Sequence, residues 1–170
     1  TTINRPTVIE SYIRNIEKYA HKNVEIIIIG DKKTPSGVGD YCANISRESL
    51  ITVKYLDVDF QKNYLKKFPD LEKYLPYNSF SRRNIGDLFA YEEGYDVIIR
   101  VDDDNYPTED DFIRMHGIVG KDIKTTVLKS ENGWYNVCEE LIDEKNIPFY
   151  PRGFPYSKRW LSDQNSTVTR

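Results

Sequence analysis

YDVIIRVDDDNYP, residues 95–107, sets an apolar run directly ahead of three aspartates, and its reading decides the fold. Tyr95 to Val101 has the β-branched composition of a strand, so the acidic triplet stands at a strand's carboxyl end. Adjacent carboxylates repel one another, and the arrangement calls for a cation or a tight turn. In an extended backbone residues two apart point the same way, which lets Asp102 and Asp104 share one ligand while Asp103 faces elsewhere. Two hard oxygens on one spot suit Mg2+ or Mn2+, ions that keep several waters and take further oxygens from phosphate. The same stretch also reads as a solvated turn ahead of a helix, because Asp and Asn favour turns. A twelve-residue calcium loop does not fit: counted from Asp102, Pro107 stands where glycine is needed and Ile113 where glutamate is needed.

Working outward, Val24 to Ile29 is a near-continuous β-branched run closed by Gly30, as expected of a strand buried on both faces. Asn4 to Thr7 opens a helix, with Pro6 tolerated in its first turn. Val8, Ile9, Tyr12, Ile13, Ile16, Tyr19 and Ala20 then fall on one helical face, to about His21. Thr1–Ile3 looks like the end of a first strand, and strand, helix, strand in this order points to a parallel sheet. Asp31 to Asp40 is a Gly/Pro/Lys loop, and Leu50–Tyr55 predicts a further strand. A second amphipathic helix spans Phe60 to Phe68 and stops near Pro69. A third covers Asn84 to Glu93, with Gly94 at the end where a left-handed residue is cheap. Thr108 to Asp111 opens another helix with a cap and first-turn acids, and Thr125–Leu128 suits a short strand. The expected fold is α/β: one domain over residues 1–170, a Rossmann-like, mostly parallel sheet flanked by helices in a three-layer αβα sandwich.

Composition narrows the function. A chain of 170 residues is one domain's worth. With 24 basic and 27 acidic residues, a net charge of −3 and no basic stripe, there is no electrostatic case for general nucleic-acid binding, and a small partner is expected. Ile26–Ile29 is the longest apolar run, far short of the roughly 20 residues of a membrane-spanning helix, and no signal-peptide pattern precedes it. Cys42 and Cys138 stand apart, as reduced thiols of a cytoplasmic protein do. His21 and His116 have no neighbouring ligand partners and are not expected to bind metal. The chain starts without methionine and finishes in a polar run, Ser162 to Arg170, with no closing element; either end can be a boundary within a longer chain.

Ser81-Arg82-Arg83-Asn84-Ile85-Gly86 stands at a helix start, where backbone N–H groups and two guanidinium ions could neutralise a diphosphate. It reads equally as a solvated helix start with exposed arginines. Asp31 follows the isoleucine run and could accept a hydrogen bond from a base or ribose. Asn4 and Arg5 follow the first strand on the same rim. Open α/β sheets bind ligands beyond the carboxyl ends of their strands. The shared location of these groups points to a nucleotide diphosphate held through a metal.

Thr1-Thr2-Ile3-Asn4-Arg5-Pro6, Arg83-Asn84-Ile85-Gly86 and a strand ending in Asp102-Asp103-Asp104 together resemble the GT-A class of nucleotide-sugar glycosyltransferases with its DxD signature. Gly30-Asp31-Lys32-Lys33-Thr34-Pro35, Leu75-Pro76-Tyr77-Asn78-Ser79 and Gly86-Asp87-Leu88-Phe89-Ala90 look like the STELLO-type glycosyltransferases. Arg152-Gly153-Phe154-Pro155-Tyr156-Ser157-Lys158-Arg159 is similar to the Arg-Gly-Tyr-Pro-Phe-Ser-Leu-Arg segment of the reversibly glycosylated polypeptides, the UDP-arabinopyranose mutases. The resemblance implies a GT-A fold and a metal-dependent transferase of a nucleotide-diphosphate sugar, most simply a UDP-sugar. Asp102 and Asp104 are expected to hold Mn2+ or Mg2+. Thr2, Asn4, Arg5, Asp31, Arg83, Asn84 and Asp103 are expected against the nucleotide. Arg152 would carry or meet the sugar, with Arg159 also functional. The acceptor, whether glycan, protein or small molecule, is not specified, no general base stands out, and a homo-oligomer is compatible. Two alternatives stay open: self-glycosylating mutase chemistry at Arg152, and a non-catalytic nucleotide-sugar-binding module. A nucleotidyltransferase is disfavoured because the Thr2-Ile3-Asn4-Arg5 turn lacks a glycine-rich phosphate loop.

Overall fold

The computed structural model describes residues 4–124, 126–129, 133–140, 149–159 and 166–169. The chain is mixed α/β and divides into two compact units, Thr1–Gly120 and Lys121–Arg170.

In the first unit α1 (Ile9–Lys18) leads to β1 (Glu25–Ile29), α2 (Val38–Glu48), β2 (Thr52–Leu56), α3 (Val58–Leu65) and α4 (Pro69–Tyr74). A 3-10 turn at Phe80–Arg82 runs into α5 (Arg83–Glu92), and α6 (Phe112–His116) follows. β1 and β2 pair in parallel, Ile26 opposite Val53 and Ile28 opposite Tyr55. α1 buries Ile9, Ile13 and Ile16 against Val38, Tyr41 and Cys42 of α2 and Val53 of β2. A second cluster joins Tyr64 and Leu65 of α3 to Leu75 and to Ile85 of α5. α5 comes so close to β1 that a Cβ on Gly86 would lie 2.7 Å from Ile29 Cδ1. Glycine at that point lets the helix reach the carboxyl end of the strand.

The helix α2 was not evident in the sequence, although Val38, Tyr41, Cys42 and Ile45 recur at helical spacing; Gly37, at φ +85°, breaks the chain just ahead of it and lends the region the look of a loop. α3 ends at Leu65, short of Pro69 as expected, and Pro69 then starts α4, since a proline in the first turn gives up no intrahelical bond. Gly94 takes the left-handed conformation expected of it.

The largest departure is residues 95–101. Among the described residues the predicted strand makes no ladder. Its start is tied to β1 through the Tyr95 hydroxyl, which bonds Glu25, and its end to α5 through an Arg100–Asp87 ion pair. Among the described residues, side chains of this segment and of β1 line one cavity of about 780 Å3.

At one end of the cavity Lys54 Nζ lies 2.7 Å from Glu25 Oε2 and donates to the Tyr95 hydroxyl at 3.1 Å. Burial opposes the Glu25 charge, but the hydrogen bonds from Lys54 and Tyr95 outweigh it and hold the carboxyl below its usual value. The hydrogen bond to Glu25 holds Lys54 above its usual value. Glu25 therefore adds stability above about pH 4.3, its ordinary value, and loses it as pH falls through the lowered one. Lys54 adds stability below about pH 10.4 and loses it as pH rises through the raised one. In urea titrations across pH, Lys54→Met should be less stable than the parent between these limits and converge on it outside them. A difference that does not vary with pH would show that the pair contributes by packing alone.

In the second unit β3 (Thr126–Lys129) pairs antiparallel with β4 (Ser166–Thr169). β3 matches the strand predicted near this point. β4 lies in the tail expected to hold no closing element, and so corrects that expectation. Phe154 is buried against Tyr150 and Trp134, with ring centroids 5.1 and 5.8 Å away.

Candidate functional site

The Asn105 N–H donates to the Asp102 carbonyl at 3.2 Å, so the acidic triplet is a tight turn. The extended geometry that would set Asp102 and Asp104 on one side by alternation does not apply there. Asp102 and Asp104 are exposed and Asp103 is half-buried. Arg83, in the first turn of α5, donates from Nη1 to Asp102 Oδ1 at 3.2 Å. The packing of Gly86 on Ile29 places that same helical turn beside the end of β1. The structure thereby brings together three features that are far apart in the chain: the end of β1, the start of α5 and the triplet.

The downstream side of the turn is held by α1. Asn15, buried, donates from Nδ2 to the Thr108 and Asp110 carbonyls at 3.1 and 2.8 Å, and its Oδ1 accepts the Phe112 N–H at 3.2 Å. Tyr12 donates its hydroxyl to the Asn105 carbonyl at 3.0 Å, and Tyr19 to the Glu109 carbonyl at 2.8 Å. His21 Nε2 lies 2.5 Å from Asp111 Oδ1, so this histidine does have a partner. Burial disfavours the Asp111 charge, yet the Arg114 N–H and His21 outweigh it and hold the carboxyl below its usual value. The sequence pattern places Tyr12 and Tyr19 on an apolar face and does not single out Asn15. An Asn in phase with that face was the available signal.

The two arginines of the Ser81–Gly86 segment part company. Arg82 is 1 % exposed and spends its donors in the core: Nε and Nη2 on Gln61 Oε1 at 2.9 and 2.6 Å, Nη1 on the Leu75 carbonyl at 3.1 Å. Gln61 in turn donates to the Gly30 and Leu56 carbonyls, both at 2.7 Å, just past β1 and at the end of β2. Only Arg83 faces the triplet. Asn84 is exposed beside it. Asp31, 4 % exposed, accepts the Lys32 N–H at 2.7 Å and the Ser79 N–H at 3.3 Å, which fastens the turn after β1 to the loop ahead of α5. Arg5 stacks 4.0 Å over the Tyr41 ring, and Asn4 is exposed. Thr2 lies outside the described residues.

In the second unit Arg152 is exposed on a turn in which the Phe154 N–H donates to the Pro151 carbonyl at 3.1 Å and Gly153 has φ +86°. The Arg159 guanidinium lies 3.9 Å over the Tyr156 ring.

Among the described residues no three His, Cys, Asp or Glu side chains converge on a metal-sized space. The triplet instead offers exposed carboxylates on a turn. Such a donor set fits a hard cation that keeps waters and completes its shell from phosphate, and does not fit a closed tetrahedral site. Burial pushes the Cys42 thiol up to about 11, which leaves it protonated and inert. Among the described residues no helix is long and apolar enough to cross a membrane. No family model matches the chain, and no match was found among curated proteins.

Proposed function

We propose that the chain is a metal-dependent glycosyltransferase of the GT-A type, its parallel β1–β2 pair forming part of a three-layer αβα sandwich, and that it uses a nucleotide-diphosphate sugar, most simply a UDP-sugar. The observation that carries this reading is the Arg83–Asp102 pair beside the carboxyl end of β1, which sets a guanidinium and a carboxylate cluster where such a sheet meets ligands. Asp102 and Asp104 would hold Mn2+ or Mg2+, which when bound offsets charge developing on the leaving diphosphate. Arg83, released from Asp102, would turn its fork to the diphosphate oxygens. Asn84 and the first N–H groups of α5 would add neutral donors. Asp31 supports this edge by joining two loops and would turn its remaining acceptor capacity to the nucleoside.

The test is release of UDP from a panel of UDP-hexoses and UDP-pentoses. Release should require Mn2+ or Mg2+, stop with EDTA, and fall at least about tenfold in Arg83→Ala, on the scale of one lost charge-assisted contact. Binding with neither hydrolysis nor transfer over a broad acceptor panel would make the chain a binding module. The exposure of Arg152 favours a second reading, self-glycosylation: a pentose or hexose adduct in the intact mass that disappears in Arg152→Ala would establish it.

A further inference from the structure

A second, open notch of about 570 Å3 is lined from two helices. Phe60, Tyr64 and Lys67 recur at helical spacing along α3 and just past its end, and Phe89, Glu92 and Glu93 face them from the end of α5. The Phe60 and Tyr64 rings are within 12° of parallel with centroids 6.1 Å apart, and Phe89 meets both edge to face at 5.7 and 5.8 Å. Aromatic faces carry negative charge density and attract cations. Two of these three rings already have one: the Lys67 ammonium lies 5.0 Å over Tyr64, and that of Lys54 lies 5.6 Å over Phe89. Among the described residues no cation stands over Phe60, the most exposed of the three at 39 %.

The rim supplies the counter-charge. Glu92 accepts the Tyr64 hydroxyl at 2.6 Å and Lys67 at 3.3 Å, both on Oε2, and Lys54 Nζ lies 3.8 Å from Glu93 Oε2. The hydrogen bond from Tyr64 holds the Glu92 carboxyl below its usual value, so it is ionised at neutral pH. Among the described residues these contacts leave Oε1 of both carboxylates to accept from a ligand. A guanidinium suits rings and carboxylates together, because its plane stacks on an aromatic face while its edge donates a fork of N–H groups. An ammonium is a compact point charge and meets one of these demands at a time. A site for a free small molecule ordinarily encloses most of its ligand; this notch is open, so its ligand arrives attached to a larger body. We propose that the notch between α3 and α5 receives an arginine side chain protruding from a polypeptide partner, its guanidinium over Phe60 and its N–H groups on Glu92 and Glu93. This proposal is independent of the glycosyl-transfer reading.

Titration with the blocked peptide acetyl-Gly-Arg-Gly-amide, followed by amide and aromatic-ring NMR shifts, tests it. Saturable shifts should be confined to residues 60–67 and 89–93. The arginine peptide should bind at least about fivefold tighter than its lysine counterpart and at least about tenfold tighter than its citrulline counterpart, which keeps the shape and loses the charge. Phe60→Leu should weaken it about fivefold, and Glu92→Gln with Glu93→Gln about tenfold, with the Tm of each variant within about 3 °C of the parent. No saturation by about 10 mM, equal affinity for the citrulline peptide, or shifts spread over other surface carboxylates would each overturn the proposal. Free L-arginine bound tighter than the peptide would also overturn it, by assigning the notch to a small molecule.

Discussion

Replacing Asp104 with alanine should abolish Mn2+-dependent binding of UDP, a loss of at least about 100-fold by calorimetry, while Tm stays within about 2 °C of the parent. Asp104 is exposed on a turn, where a substitution alters stability by no more than about 0.5 kcal/mol. Its removal takes one hard oxygen from a site with few protein ligands to spare. Asp102→Asn differs in a useful way, because Asp102 also holds Arg83 at 3.2 Å. That variant should lose the metal-dependent part of the affinity and keep a metal-independent part, since Arg83 is then free for the diphosphate. If UDP affinity with Mn2+ is unchanged in Asp104→Ala, the triplet is only a turn.

The second large effect is on stability. Arg82→Ala should destabilise the chain by about 3–5 kcal/mol in urea unfolding, because it leaves Gln61 Oε1 and the Leu75 carbonyl buried without donors. No carboxylate pairs with Arg82 among its described partners; it is held by neutral acceptors and by the Tyr77 ring, 4.1 Å away. Arg82→Lys keeps the charge and loses the fork, so it should recover only part of the loss. A loss below about 1 kcal/mol in Arg82→Ala would mean that water replaces the guanidinium at no penalty.

Elements governed by local pattern were legible in the sequence. The isoleucine run is β1, the Ile9–Ile16 periodicity is α1, and Gly94 ends α5 as expected. What sequence could not disclose depends on neighbours. Arg82 and Arg83 are adjacent and chemically alike, and only the seating of the 3-10 turn sends one into the core and the other to Asp102. Asp31 is expected from sequence against the nucleotide; what the sequence does not disclose is that its oxygens also accept backbone N–H groups, one of them 48 residues away. Residues 95–101 have the composition of a strand, and composition says nothing of what lies alongside. Asn15 was overlooked because a lone amide on an apolar face carries little weight until the carbonyls it serves are known.

The α1 clamp has a thermodynamic consequence for whatever arrives at the triplet. Residues 105–112 have little regular structure, and a loop of that kind ordinarily gives up conformational freedom when a ligand fixes it. Here Tyr12, Asn15 and Tyr19 have already fixed it from a helix that is itself anchored in the core. The candidate site is preorganised on its downstream flank, and for a ligand bound there the Arg83 side, where one ion pair must open, would be the adjustable half.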